Sequence, residues 1–230
     1  MQKNIESIFT EVSRTYELAN HILTFGLDVL WRKKAAREGA RAGGTLWLDV
    51  CSGTGEMARN LSFLAPKKVK IIALDFCQSM LTKIREKKSR SKISLVLAEA
   101  NPLPFAPNTF DLVAISFATR NLNLSREALL RNFKEFLRVL KPGGSLVNLE
   151  TSQPQLGIVQ RLFHYYIRSV VLPVGFFISG SKAGYRYLSS TIPRFYRPEE
   201  LSHFLQEARF ERVTFKRLFF GIAAIHTAIK

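Results

Sequence analysis

Acidic residues are scarce: 18 Asp plus Glu stand against 34 Lys plus Arg in a chain of 230 residues, a formal charge of +16. An excess of that size favours anionic partners, nucleic acid or a membrane surface, and does not choose between them. Cysteine is rarer still. Cys51 and Cys77 are the two present, too few for a secreted disulfide framework and without the spacing of a zinc site. No metal is expected. Long hydrophobic runs are missing as well, since the longest uninterrupted one, residues 170–178, includes Pro173 and Gly175. Crossing a bilayer needs about 20 apolar residues, and the opening MQKNIE lacks an apolar signal core. The expectation is an intracellular, cytoplasmic protein that touches a membrane at most. No repeat or low-complexity segment breaks the chain.

What is present is the composition of a folded globule, 47% hydrophobic and 23% charged. A chain this long buries roughly 70% of its unfolded surface and needs no staple. Short apolar runs alternate with helical patterns through its middle. Residues 45–50, 69–74, 93–98, 110–116 and 145–150 read as strands, with helices predicted to about residue 64, over 78–88 and over 125–140. In the last of these helices Leu129, Leu130, Phe133, Phe136, Leu137 and Leu140 recur at helical spacing, and Lys141-Pro142-Gly143-Gly144 reads as its stop. Two further strands, 211–217 and 221–229, follow a helix that starts at Pro198. Strands alternating with helices predict an α/β fold, a central, mostly parallel seven-stranded sheet with helices on both faces.

The pattern changes over residues 151–198, which contain no Asp or Glu, six Lys or Arg, and dense aromatics from Phe163 to Tyr196. A surface excursion would be polar on average. An apolar, purely basic insertion reads as a lid, a channel for a ligand tail, a contact face or core packing. The predicted organisation is one domain over 1–230, with a helical cap at 1–40 and this insertion on the substrate side.

Chemistry is concentrated where the first strand ends. Gly53 and Gly55 follow Leu48-Asp49-Val50 and open a helix, allowing a tight turn and close approach of backbone to a ligand. Asp75 ends the second strand about twenty residues on, at the distance where an acid accepts the hydroxyls of an adenosine ribose. No Gly-Lys-Ser/Thr follows the glycines, which excludes a P-loop. NAD and S-adenosyl-L-methionine both remain open on these residues. Glu56 in the first turn of the helix and Asp49 before the loop suit a cationic ligand better than a pyrophosphate.

The chain resembles the class I S-adenosylmethionine-dependent methyltransferases. The resemblance rests on residues 48–55 (LDVCSGTG), on Asp75, on Leu103-Pro104-Phe105 before Phe110-Asp111, and on residues 138–144 (RVLKPGG). It is closer to the menaquinone and ubiquinone biosynthesis C-methyltransferases. That likeness rests on Tyr16 with Asn20, Gly26 with Trp31-Arg32, residues 117–121 (FATRN), 149–154 (LETSQP), 187–192 (YLSSTI) and 221–226 (GIAAIH). Cys51 and Ser52 stand where the branch carries smaller residues or glycine.

The resemblance implies a Rossmann-like fold and S-adenosyl-L-methionine as cofactor. Asp75 would hold the ribose, Phe76 and Met80 would line the adenine side, and Glu99 and Ala100 would meet the adenine edge. Asp49, Cys51, Gly53, Gly55 and Phe117 would border the remainder of the cofactor. The implied substrate is a polyprenyl quinol, demethylmenaquinol foremost, with a methoxy-polyprenyl-benzoquinol of ubiquinone synthesis as the alternative. Its hydroxyl must lose a proton before the ring carbon becomes nucleophilic, and an ordinary phenol has a pKa of about 10. Arg120 would set a positive charge beside the phenolate, Asn121 would orient the ring oxygen or a water, and Tyr16 would position the ring. His21 is the nearby general base, although a polarised water is the preferred acceptor on sequence, with His21 only packing. The quinol's tail would lie in the 151–198 segment, whose basic residues would meet anionic lipid headgroups. An RNA methyltransferase, favoured by nine Lys or Arg over residues 67–92, and a non-catalytic binding protein are the other readings. No stable nucleic-acid partner is expected, and a homodimer is one option for assembly.

Overall fold

A computed structural model of the chain describes residues 15–86, 89 and 93–230, apart from the side chain of Tyr16. Seven strands form one sheet: β1 (Leu46–Val50), β2 (Lys70–Asp75), β3 (Ile93–Leu97), β4 (Phe110–Ser116), β5 (Leu140–Thr151), β6 (Arg212–Leu218) and β7 (Ala223–Ile229). Their order is β3-β2-β1-β4-β5-β7-β6. The first five run parallel, and β7 lies antiparallel between β5 and β6. This is the predicted Rossmann-like sheet.

Successive residues of a strand face opposite sides, and both sides here are covered. Trp47, Leu112 and Ala114 pack with α2 (Leu27–Ala40) and α3 (Glu56–Leu64). Leu48, Val113 and Ile115 pack on the other face with Phe133 and Phe136 of α6 (Arg126–Val139) and Leu205 of α10 (Pro198–Glu207). The central strands therefore read as unbroken apolar runs, as strands buried on both faces do. Ser125 starts α6 by accepting the Ala128 N–H. The helix ends at Val139, just before the Lys-Pro-Gly-Gly sequence read as its stop. The strand already begins at Leu140, and residues 141–144 form a bulge between the pairs Phe110–Leu140 and Leu112–Ser145.

The chain moves outward from β1 through β2 to β3, then returns to place β4 on the other side of β1. Such a reversal opens a crevice at the carboxyl ends of the two strands, where α/β sheets bind ligands. Around that crevice lie α4 (Gln78–Arg85), the short α5 (Thr119–Leu122) and a cap. The cap joins α1 (Tyr16–Leu23) to α7 (Gly157–Tyr166), α8 (Leu172–Ser179) and α9 (Lys182–Thr191) through Ala19, Leu23, Phe163, Ile167, Val171 and Tyr185. A π-helical turn, Ile167–Val171, links α7 to α8. The resulting helix, Gly157–Ser179, is mostly unburied and, by length and composition alone, long and apolar enough to cross a membrane. A search for unbroken apolar runs misses it because Gln160, Arg161, His164 and Arg168 interrupt the sequence.

Candidate active site

The glycine loop is built around two carboxylates with different duties. Asp75 accepts N–H groups from Gly53 at 2.8 Å and Cys77 at 2.9 Å, so one side chain ties the loop to the start of α4. Burial raises its pKa, against the pull of the Cys77, Gly53 and Phe76 N–H groups. An ionised carboxylate has about four acceptor sites, which leaves capacity for a ligand's hydroxyls at a residue that still borders the cavity. Asp49 departs from its expected place beside the ligand. It is fully buried beneath the loop, accepts the Ala58 N–H at 2.9 Å, and is not among the cavity walls. Burial pushes its pKa up to about 8. Asp49 therefore supports the loop from beneath. The Cys51 thiol is pushed well above its ordinary value by burial and by Asp75 and Asp49, which keeps it protonated.

The cavity above this loop has a volume of ≈ 330 Å³. Cys51, Gly53, Asp75, Phe76, Met80, Glu99, Ala100 and Phe117 all line it, so the structure brings together most of the residues that sequence reasoning assigned to the cofactor. Gly55 stands behind it, with its α-carbon against Ile84. The lining is acidic: Glu17, Asp28, Glu56, Asp75 and Glu99 face Arg32 and Arg131, in a chain of charge +16. A cationic ligand fits such walls, and a pyrophosphate does not.

A second cavity of ≈ 360 Å³ adjoins the first and is almost wholly apolar. Its walls come from the cap and from distant segments: Leu23 and Phe25, Phe163 and Tyr166, Tyr185 and Tyr187, and Phe219 and Phe220. Asn20, Asp28, Arg32, Phe117 and Asn121 border both spaces. Phe117, at φ +54°, is held in the left-handed region at the end of β4, with the Arg32 guanidinium 4.9 Å from its ring centre. Non-glycine residues in that region are a strained feature common at functional sites.

The proposed catalytic side chains fall in different places. Asn121 sits at the junction, and its Oδ1 is buried without a hydrogen-bond partner among the described residues. Arg120 borders only the apolar space, and its charge is not isolated. Its Nη1 donates to Glu150 at 3.2 Å and to Thr151 at 3.1 Å, and its backbone N–H also meets Glu150. Both partners of this ion pair are buried. The Tyr16 side chain lies outside the described residues. His21 borders the acidic cavity, with Nδ1 against Asp28. Nothing in local spacing marks Asp28, Arg131 or Asn132, which complete the walls. Only the Asp28–Arg32 separation of four on one helix is a readable signal.

Comparison with known proteins agrees with this geometry. A sequence model of the ubiE/COQ5 methyltransferase family matches residues 1–230. A demethylmenaquinone methyltransferase of Staphylococcus aureus (strain JH9) is 35% identical over 230 residues, which cover 100% of this chain and 94% of that protein. Among solved structures, a SAM-dependent methyltransferase from Thermotoga maritima superposes with TM-score 0.63 at 16% identity, covering 96% of this chain and 99% of the other. Another from Aquifex aeolicus gives TM-score 0.53 at 20% identity, with 80% and 81% covered. At those identities the structures speak for the fold.

Proposed function

Since the chain belongs to the ubiE/COQ5 methyltransferase family, we propose that it methylates a ring carbon of a polyprenyl quinol, converting demethylmenaquinol to menaquinol. S-adenosyl-L-methionine is the methyl donor. The observation that carries the reading is the meeting of an acid-walled cavity with an apolar one across a shared wall. The acidic walls fit a cofactor bearing an amino group and a sulfonium. Asp75 would hold its ribose, Phe76, Met80, Glu99 and Ala100 its adenine, and the loop from Cys51 to Thr54 its amino-acid half. When bound there it supplies an electrophilic methyl group.

The chain's own residues prepare the other reactant. The apolar cavity shelters the isoprenoid tail and one face of the ring, excluding water. Asn121 Oδ1 takes a hydroxyl hydrogen bond at the junction. Arg120, balanced by Glu150, offers N–H donors and little net charge at the polar end of the apolar space.

We extend the proposal to a cytoplasmic location with peripheral contact to the inner face of an anionic membrane, since the tail must be drawn from lipid. Phe25, Phe219 and Phe220 wall the apolar cavity and are exposed at its rim. Leu162, Tyr165, Phe176 and Phe177 are exposed along the long helix, within the segment that has six cations and no acid.

The test is mass spectrometry of an anaerobic reaction with isotope-labelled S-adenosyl-L-methionine and chemically reduced, short-tailed demethylmenaquinol. A labelled methyl on the ring carbon is expected. No labelled product from an enzyme that binds the cofactor would overturn the reading. For the membrane, flotation with anionic vesicles that weakens with added salt is expected, and binding indifferent to salt or lipid charge contradicts it.

A further inference from the structure

His21 and Asp28 belong to different helices, α1 and α2, and meet across the turn at residues 24–26. His21 Nδ1 lies 3.0 and 2.9 Å from the two Asp28 oxygens. The same carboxylate accepts the Thr24 hydroxyl at 2.8 Å and the Arg32 guanidinium at 2.5 Å. Asp28 is 2% exposed. Its burial acts to raise the pKa, but Arg32, Thr24 and His21 together outweigh burial and lower it, so the group stays ionised. His21 itself is not core filler, since its side chain is 35% exposed and its ring lines the acidic cavity. Its Nε2 has no hydrogen-bond partner among the described residues. A carboxylate that fixes the proton of an imidazole on Nδ1 leaves the lone pair on Nε2 to accept another.

We propose that His21 is the base that takes the hydroxyl proton of the bound quinol, and that Asp28 is the positioning residue that holds it in the accepting tautomer. The inference rests on the quinol-methylation reading. The quinol O–H proton passes to Nε2, and the freed electron pair raises the density on the adjacent ring carbon. That carbon bonds to the methyl group as the methyl–sulfur bond breaks, and the electron pair of the broken bond stays on a neutral sulfide. The hydrogen on the methylated carbon then leaves to water as aromaticity returns, and His21 gives its proton back to the oxygen. One proton is released overall. Arg120 cannot take this role because a guanidinium stays protonated and has no lone pair to offer, and its donors are already engaged by Glu150 and Thr151. His21, unlike a polarised water, is held in place, since Thr24 and Arg32 fix the Asp28 carboxylate that it meets.

The experiment uses the full chain under anaerobic turnover with reduced demethylmenaquinol, together with calorimetry of S-adenosylhomocysteine. His21→Ala is expected to lower kcat roughly 100- to 1,000-fold, within the usual range for a lost general base, while the affinity for S-adenosylhomocysteine stays within about threefold. Added imidazole restores a large part of kcat in His21→Ala and nothing in Asp28→Asn, whose own ring remains in place. Asp28→Glu recovers activity that Asp28→Asn loses. Should His21→Ala fail to fold, His21→Gln must show the same kcat loss at unchanged affinity. A His21 variant that keeps kcat within threefold, or one that folds and binds yet is not rescued by imidazole, overturns the proposal and leaves quinol methylation intact. A wild-type enzyme that methylates no quinol removes the underlying reading instead.

Discussion

Gly53 and Gly55 sit two residues apart in one loop, and alanine at each should fail for a different reason. Both adopt left-handed backbone, φ +54° and +80°, which costs a residue with a Cβ about 1–2 kcal/mol. At Gly55 the new Cβ would lie 2.7 Å from Ile84 Cγ1 and 2.9 Å from Cδ1. Overpacking of that kind adds about 1–3 kcal/mol, so Gly55→Ala should lose roughly 2–5 kcal/mol of stability. At Gly53, which lines the acid-walled cavity, the Cβ meets nothing within 4 Å beyond its chain neighbours. Gly53→Ala should therefore cost only the backbone share in stability but weaken S-adenosylhomocysteine binding clearly. Urea unfolding and calorimetry on both variants separate the two effects. Repeating Gly55→Ala in an Ile84→Ala background removes the clashing atoms, and the cost should shrink to about 1–2 kcal/mol. Equal cost in both backgrounds, or Gly53→Ala that loses stability as Gly55→Ala does while binding normally, would refute the reasoning.

Asp75→Asn keeps one acceptor oxygen for two N–H groups. It should lower stability by about 1–3 kcal/mol and weaken S-adenosylhomocysteine by roughly 10- to 100-fold, and an unchanged Kd by calorimetry would remove the ribose role. Arg120→Met leaves Glu150 buried without its cation, a loss of about 3–5 kcal/mol; Arg120→Met with Glu150→Gln should recover most of that in denaturation without recovering turnover. If the single variant melts like wild type, the ion pair is not holding α5 to β5. Burial lowers the pKa of His226 to about 4, against the Pro198 carbonyl and Glu199. The unfolded chain binds that proton first, so stability is full above about pH 6.5 and falls toward pH 4 by up to about 3 kcal/mol. His226→Phe should flatten that part of the curve in pH-dependent denaturation, and an unaltered slope contradicts it.

The central strands were readable because they are buried on both faces, so Leu46–Val50 and Phe110–Ser116 appear as apolar runs in the sequence itself. The loop and Asp75 were readable for a related reason, as their spacing is set by one strand, one helix and the next strand. What escaped depends on contacts between distant parts. Asp28 reaches His21 only because a turn folds α2 back on α1, a geometry with no helical period. Glu150 reaches Arg120 across neighbouring strand ends thirty residues apart. Phe219 and Phe220 join a cavity with Phe25 although nearly two hundred residues separate them. The misplacement of Asp49 has a different origin, since sequence position cannot say whether a carboxylate at a strand end lies above the loop or beneath it.

Five residues belong to both cavities, and four of them, Asn20, Asp28, Arg32 and Asn121, are polar. A ligand on one side that settles these side chains into one arrangement has already met part of the ordering required on the other. Thermodynamic reciprocity then applies: the factor by which the cofactor tightens quinol binding equals the factor by which the quinol tightens the cofactor. The shared wall is a physical basis for coupling occupancy of the two sites, and substitutions there are expected to alter that coupling as well as the affinity for each ligand.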